Sequence, residues 1–420
     1  MNTNYSKWRF DCQSHDLIPN SVESHPQEFA AELAHSGYTR LSINDYAISI
    51  AHFGDWLRRQ GMSLEDADGK ALRRFAVHDC RCFGVHKKKR LCGRYLKRIR
   101  RFMRYLADRG VVRWAERTQK EPQKVPVPYI VEFRDWIHRH RGLTEATIRR
   151  YEQGLSRLVL SLGSETHGYD AARIRKVICN EAKDYCAATA RAEANSLRAY
   201  LRFLASQSLC RPGLDHAVPT VPQWRLSALP RYLPPRQVER VIASCDVSSP
   251  VGLRDRAILL LLSRLGLRAG DIRRLLLDDI NWPEGTLRVA GKGRREVRLP
   301  LPQDAGDAVL AYLKRARPRA AYDQVFLCVN APIRPLQPPA SVSNIVRLAV
   351  RRAGIAKPPS TGANLLRHSA ATSMLRAGAT LDAVSALLRH RSTDTTAHYA
   401  KVDLATLQTV VQPWPEGAQC

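Results

Sequence analysis

A histidine and a tyrosine lie nine residues apart near the C-terminus, in the run Leu387-Leu388-Arg389-His390-Arg391-Ser392-Thr393-Asp394-Thr395-Thr396-Ala397-His398-Tyr399. A phenolic hydroxyl can act as a nucleophile, but only weakly at its ordinary pKa, so chemistry at Tyr399 needs companions. Three basic side chains upstream are candidates besides His390. Arg268 stands at a helix junction just past Gly266, and Lys292 sits at a hairpin tip in Gly291-Lys292-Gly293. Arg367 lies within Asn364-Leu365-Leu366-Arg367-His368. Taken singly, each has a plainer reading. A tyrosine near a chain end packs, and an arginine at a helix end answers the helix dipole. Gly-Lys-Gly makes a turn, and a helical histidine is often a structural residue with its hydrogen bonds met.

The composition narrows the partner. The 420 residues carry 67 Lys and Arg against 39 Asp and Glu, a formal charge of +28 spread along the whole length. A folded chain this basic most often binds a polyanion, with nucleic acid the leading candidate and a generally basic solvated surface the alternative. No apolar run approaches membrane-spanning length, and Met1-Asn2-Thr3-Asn4-Tyr5 lacks an apolar leader core, so a cytosolic protein with no membrane partner is expected. The ten cysteines include no CxxC pair, which predicts reduced thiols. The local group His78, Cys80, Cys82, His86 and Cys92 has a Cys-x-Cys spacing poorly suited to structural zinc, and no metal is expected there.

The elements that must position these residues read as mainly helical, with a small antiparallel sheet. Residues 1–25 form a polar arm. From 26 to 114, Ile43, Tyr46, Ile50, Phe53 and Leu57 recur at spacings of three and four, with Thr39 and Ser42 as caps. A basic helix from Arg94 to Asp108 ends at Gly110. A Pro-rich linker occupies 115–126. The pattern then repeats over 127–212. Gly142-Leu143-Thr144-Glu145-Ala146-Thr147-Ile148-Arg149-Arg150-Tyr151 matches Gly37-Tyr38-Thr39-Arg40-Leu41-Ser42-Ile43-Asn44-Asp45-Tyr46, and Ile148, Tyr151, Leu155, Leu158 and Leu162 continue the same face. Agreement of caps, face and closing helix in one order indicates two copies of a small basic helical domain. Pro212, Pro219, Pro222 and Pro230 punctuate 211–232, which reads as an exposed strap, with the linker proper at 213–232.

A third domain spans 233–405. A helix starts near Pro235, an apolar helix covers Ala257 to Leu262 and stops by Gly266, and Ala269-Gly270-Asp271 opens the next. The alternating segments 286–290 and 296–300 form a hairpin with a basic turn. Helices follow near 303–316, 341–353, 363–377, 380–388 and 393–400. A tail occupies 406–420.

In this order and spacing the basic residues and the tyrosine resemble the tyrosine recombinase family of phage-integrase type, in its mobile-element branch. Leu265-Gly266-Leu267-Arg268-Ala269-Gly270-Asp271 resembles the first arginine motif, and Gly291-Lys292-Gly293 the hairpin lysine. Leu366-Arg367-His368-Ser369-Ala370-Ala371-Thr372 resembles the second arginine motif, and Leu388-Arg389-His390 with Thr395-Thr396-Ala397-His398-Tyr399 the histidine and nucleophile motifs. The two helical copies resemble that family's core-binding domain. The resemblance implies that Tyr399 attacks a DNA phosphodiester, forms a 3′-phosphotyrosyl bond and releases a 5′-hydroxyl. Bond energy is conserved, so no cofactor or metal is implied. Arg268 and Arg367 then clamp the non-bridging oxygens, His390 donates a further hydrogen bond, and Lys292 protonates the leaving oxygen. Asp271 either orients Arg268 or caps a helix.

One position departs from the family pattern. A histidine usually stands three residues before the second arginine, and here it is Asn364. Asparagine can donate a hydrogen bond but cannot serve as a general base, so either the Tyr399 proton leaves to water or a neighbour, or His368 substitutes. Because a histidine commonly accompanies this arginine in the family in a structural role, the first is expected. The implied partners are double-stranded DNA, a homotetrameric synapse, and accessory proteins or other recombinases, at the bacterial nucleoid. Two competing readings use the same residues: a DNA-binding member weakened in catalysis, and a type IB topoisomerase-like nicking-closing enzyme.

Overall fold

Thr39 starts the first long helix. Its extended backbone and its Oγ1, which accepts from the Ser42 N–H at 3.3 Å, set the entry into α2 (Arg40–Arg59). The computed structural model describes residues 24–78, 93–112, 114, 127–221, 229–290, 296–337, 340–390 and 394–401. They divide into two compact units, one built from the N-terminal helices together with the C-terminal region, the other from the central segment.

In the N-terminal part, α1 (Ser24–His35) and α2 pack with α3 (Gly69–Ala76) and α4 (Gly93–Asp108). Asp68 caps α3, accepting from the Lys70 and Ala71 N–H groups at 2.8 Å each. The core is aromatic: Phe29, Phe53, Trp56, Phe75 and Phe102 are buried together. Ile43, Tyr46 and Ile50 pack half-buried against it, so the three-and-four spacing marks the inward face of α2. The segment holding Cys80, Cys82, His86 and Cys92, the 115–126 linker, Lys292 and the 406–420 tail lie outside the described residues.

The central unit repeats this plan. Helices α5 (Ile130–Arg141), α6 (Glu145–Leu162), α7 (Ala171–Glu181) and α8 (Ala187–Ser206) enclose Phe133, Ile148, Leu155, Leu158, Tyr200 and Phe203. The described first part of the 211–232 strap, residues 211–221, differs from its expected exposure. A 3₁₀ turn spans Leu214–Ala217, and Leu214, Ala217 and Val218 are buried in the core of this unit. Arg198 donates to the carbonyls of Val218 and Pro219 at 3.1 and 2.7 Å, and Arg202 pairs with Asp215 at 2.7 Å. Three apolar residues on one short turn show no period that a sequence can display, so prolines dominated the reading.

The C-terminal region has its own core. Pro235 stands at the first turn of α9 (Pro235–Ala243), where a missing N–H costs nothing. Helix α10 (Pro250–Arg264) is nearly encircled, with every residue from Ala257 to Ser263 buried. Each fully buried leucine of that run contributes roughly 1.5–3 kcal/mol. Its capping loop is tight: Ser249 Oγ accepts from the Gly252 N–H at 3.0 Å, and a Cβ at Gly252 would lie 1.8 Å from the Asp246 carbonyl oxygen. After α11 (Ala269–Arg274) comes an antiparallel sheet in the order β1 (Ile280–Asn281), β2 (Thr286–Ala290), β3 (Glu296–Pro300). Leu287 pairs with Leu299 and faces the core, while Arg288 points to solvent. Helices α12 (Gln303–Arg315), α13 (Ala340–Arg352), α14 (Asn364–Arg376), α15 (Leu381–Leu388) and α16 (Asp394–Ala400) complete it. The fold is mainly helical with one small antiparallel sheet. Among the described residues no helix is long and apolar enough to cross a membrane.

Candidate active site

The site begins where α10 gives way to α11. Gly266 has φ +57, and a Cβ there would come within 2.6 Å of Leu388 Cδ2, so glycine permits both the turn and the approach of α15. Two residues on, Arg268 is the N-cap of α11. Its backbone N–H donates to Asp271 Oδ2 at 2.9 Å. Its guanidinium turns towards the end of α15, with Nη2 donating to the carbonyls of Leu388 and Arg389 at 3.4 and 3.3 Å.

Helix α14 supplies the second arginine. Arg367 is buried, and it donates through Nη1 to the Gly266 carbonyl and through Nη2 to the Leu388 carbonyl at 2.5 Å. The carbonyl end of a helix carries partial negative charge, so the end of α15 attracts both guanidiniums. A third cation is present. Arg389, the C-cap of α15, adopts a left-handed backbone at φ 52 and donates Nη2 to Asp271 Oδ2 at 2.5 Å. Burial, together with the neighbouring guanidiniums, lowers Arg367 to about 10, and burial and Arg389 also lower Arg268. Cations crowded this way around the single carboxylate of Asp271 suit an anionic oxygen ligand.

Tyr399, on α16, is 2% exposed and packs with Ala371, Leu375, Val384 and Leu388 in a cluster separate from the main core. Three imidazoles surround it. His368 Nδ1 is 2.5 Å from the Tyr399 hydroxyl oxygen. The His390 ring is stacked near-parallel at 6.5 Å, and the His398 ring meets it edge-on at 5.8 Å. Nδ1 of His390 is 2.8 Å from Thr396 Oγ1, which leaves Nε2 as the nitrogen able to face a ligand. Burial and nearby cations push His368 and His390 down to about 4, so both rings are neutral at physiological pH. Burial raises the Tyr399 hydroxyl above its ordinary value, and Arg367 opposes that rise.

Arg268 and Asp271 at the start of α11, Arg367 on α14, His390 just past α15 and Tyr399 on α16 thus come together within one region. Asn364 does not join them: it is exposed at the start of α14. Asp271 accepts from the backbone N–H of Arg268, as a helix-start cap does, and from the side chain of Arg389. The sequence did not single out Arg389, and left His368 as the second choice for the tyrosine proton. The signal for Arg389 was its place between Leu388 and His390, at a helix end where a long basic side chain is free to fold back.

The helical scaffold carries two arginines, a histidine and a tyrosine in one region, in the order of the tyrosine recombinase family motifs. The chain belongs to that family: residues 231–405 match the Phage integrase family. A protein of Sinorhizobium fredii named as an integrase/recombinase, y4rA, is 34% identical over 397 residues, covering 93% of this chain and 94% of that one. The tyrosine recombinase XerD of Xanthomonas campestris is 32% identical over 318 residues, covering 70% and 96%. Among solved structures, XerH bound to its palindromic difH substrate shares the fold at a TM-score of 0.53 and 19% identity, over 67% of this chain and 83% of XerH. A lambda integrase dimer bound to a COC′ core site has a TM-score of 0.53 at 16% identity, over 64% and 75%. The protein is therefore a DNA recombinase that cuts and rejoins duplex DNA by transesterification through a 3′-phosphotyrosyl intermediate.

Proposed function

We propose that Tyr399 is the nucleophile of this reaction and that Arg268 and Arg367 hold the non-bridging oxygens of the scissile phosphate. The supporting observation is that both guanidiniums already converge on one acceptor, the Leu388 carbonyl, beside the buried tyrosine. Planar, permanently charged guanidinium suits an oxyanion whose charge grows in the transition state. His390 adds a hydrogen bond from Nε2, its other nitrogen being turned to Thr396. Asp271 fixes the start of α11 and so aims Arg268. Lys292 acts as general acid to the leaving 5′ oxygen, a role that rests on the family pattern. Asn364 contributes at most a hydrogen bond.

At the level of the assembly, the two helical segments at 26–114 and 127–212 serve with the catalytic region at 233–405 to bind duplex DNA. The phosphate backbone is the main source of affinity for a chain with a charge of +28. The active species is a homotetramer joining two duplexes. A lambda integrase tetramer has been captured on a Holliday junction, which supports this reading by analogy of fold. Likeness to the Sinorhizobium integrase/recombinase along nearly the whole chain favours integration or transposition of a mobile element, in the cytoplasm where DNA is accessible.

The test is covalent capture. Host DNA fragments are incubated with the protein, denatured, and the DNA left attached to protein is sequenced. A duplex of that sequence, nicked beside the cleavage point, then traps the intermediate. The parent chain forms a protein–DNA adduct and Tyr399→Phe forms none. An adduct that survives Tyr399→Phe, or no adduct on DNA that is demonstrably bound, contradicts the assignment.

A further inference from the structure

We propose that His368 is the group that takes the Tyr399 proton, through its Nδ1, as the phenolic oxygen attacks the phosphodiester. This deepens the reading above and rests on Tyr399 being the nucleophile.

Geometry selects this residue. Of the three imidazoles around Tyr399, His368 is the one with a nitrogen at hydrogen-bonding distance, 2.5 Å from the hydroxyl oxygen. The His390 ring lies parallel to the tyrosine at 6.5 Å with its Nδ1 turned to Thr396, and the His398 ring meets the tyrosine edge-on at 5.8 Å. The nucleophile is 2% exposed, so bulk solvent does not reach it in this arrangement. Asn364, the residue in the place where this family usually carries histidine, has no basic atom and is exposed. His368 stands four residues further along α14, one helical turn away on the same face. From there its Nδ1 reaches the Tyr399 hydroxyl.

The surroundings suit an acceptor. A neutral imidazole accepts at one nitrogen only, so a Tyr399 O–H donating to Nδ1 fixes the ring proton on Nε2. Burial keeps His368 neutral, and His398 and Arg367 act in the same direction, so the Nδ1 lone pair is available. The same influences weaken the ring as a base, and the short approach to the hydroxyl is what carries the assignment. The step balances without a co-reactant. The O–H bond of Tyr399 breaks and Nδ1–H forms, the phenolic oxygen bonds to phosphorus, and the P–O5′ bond breaks with the 5′ oxygen taking a proton from its own donor. On rejoining, the 5′-hydroxyl gives its proton back to that donor as its oxygen bonds to phosphorus, the bond from phosphorus to the Tyr399 oxygen breaks, and Nδ1–H returns its proton to the departing tyrosine oxygen.

Two measurements test this. The first needs no DNA: the ring ¹⁵N shifts of His368 in the full chain are expected to report the Nε2–H tautomer, and an Nδ1–H tautomer overturns the proposal. The second uses the nicked duplex defined by covalent capture. His368→Asn leaves a hydrogen-bonding amide near Nδ1 but removes basicity, and a general base accounts for about 10²–10⁴ in rate. We expect adduct formation to slow by about a hundredfold with DNA affinity unchanged. A fluorinated tyrosine at position 399, more acidic and less in need of a base, should recover at least about tenfold of that loss. Cleavage by His368→Asn within about threefold of the parent, or a loss the fluorinated tyrosine does not recover, rejects His368 as the acceptor. Failure of the underlying assignment looks different, because there the parent chain forms no adduct or Tyr399→Phe retains one.

Discussion

Removing the Asp271 carboxylate probes how the site is held together. Its Oδ2 takes two donors, the Arg268 backbone N–H at 2.9 Å and Arg389 Nη2 at 2.5 Å. Both partners of the Arg389 pair are deeply buried, with side chains 5% and 3% exposed. The remaining Nε and Nη1 groups of Arg389 have no hydrogen-bond partner. Asp271→Asn keeps an oxygen for the Arg268 N–H but leaves the guanidinium buried and uncompensated. Breaking a buried pair from one side costs about 3–5 kcal/mol. Asp271→Ala also loses the cap, which adds about 1 kcal/mol. The Arg274 contact at 3.5 Å, from a side chain 64% exposed, contributes little. Arg389→Gly should reverse most of the damage, since glycine suits φ 52 and the charge that needed the carboxylate is gone. The double variant Asp271→Asn/Arg389→Gly is expected within about 2 kcal/mol of the parent. Hydrogen exchange of the α10 and α14 amides in the full chain reads the opening free energy of this region directly. A double variant no more stable than Asp271→Asn alone, or a cost for Asp271→Asn below about 1 kcal/mol, would refute the account of a charge-locked site.

Gly266→Ala should cost about 1–3 kcal/mol through its positive φ and slow cleavage while leaving DNA affinity intact, because the added Cβ collides with Leu388 beside both arginines. Comparison of adduct formation with electrophoretic binding checks it, and unchanged cleavage counts against the argument. Ser369→Ala removes the buried Oγ that accepts from the Leu233 N–H at 2.9 Å, so denaturant unfolding should show a loss of about 1–3 kcal/mol. Acid should destabilise the fold in a defined window. His368 and His390 titrate near 4 when folded against about 6.5 when unfolded. The unfolded chain therefore binds more protons between those values, and stability is complete above about 6.5 and falls as pH drops towards 4. Urea midpoints across that range measure it, and replacing both histidines with glutamine should flatten the slope.

Much of the scaffold was readable because helices announce themselves locally. The face Ile148, Tyr151, Leu155, Leu158 and Leu162 carries its own period, and Thr39, Pro235 and Gly110 mark ends by backbone chemistry that needs no tertiary partner. Arg268, Arg367, His390 and Tyr399 were singled out because their motifs, in that order, resemble those of the tyrosine recombinase family. What was hidden depends on distance in space. Arg389 meets Asp271 across 118 positions, and only the left-handed backbone at 389 turns the side chain that way. Whether His368 or Asn364 reaches the tyrosine depends on where α16 docks, which no local pattern encodes. Strand β1 has two residues, too few to alternate, and the buried turn at Leu214–Ala217 was hidden among prolines.

The Leu388 carbonyl, which accepts from both Arg268 and Arg367, makes the end of α15 an internal competitor for the ligand. A loose anion such as free phosphate or a nucleotide meets guanidiniums that already donate to a group that is covalently tethered and never diffuses away. To enter, it must displace that group from dilute solution. A phosphate within a duplex gripped elsewhere on the protein arrives at an effective concentration set by the tether, in the millimolar range or above. On the proposed assignment of the two arginines, an anion delivered on bound duplex therefore competes for them better than a free one.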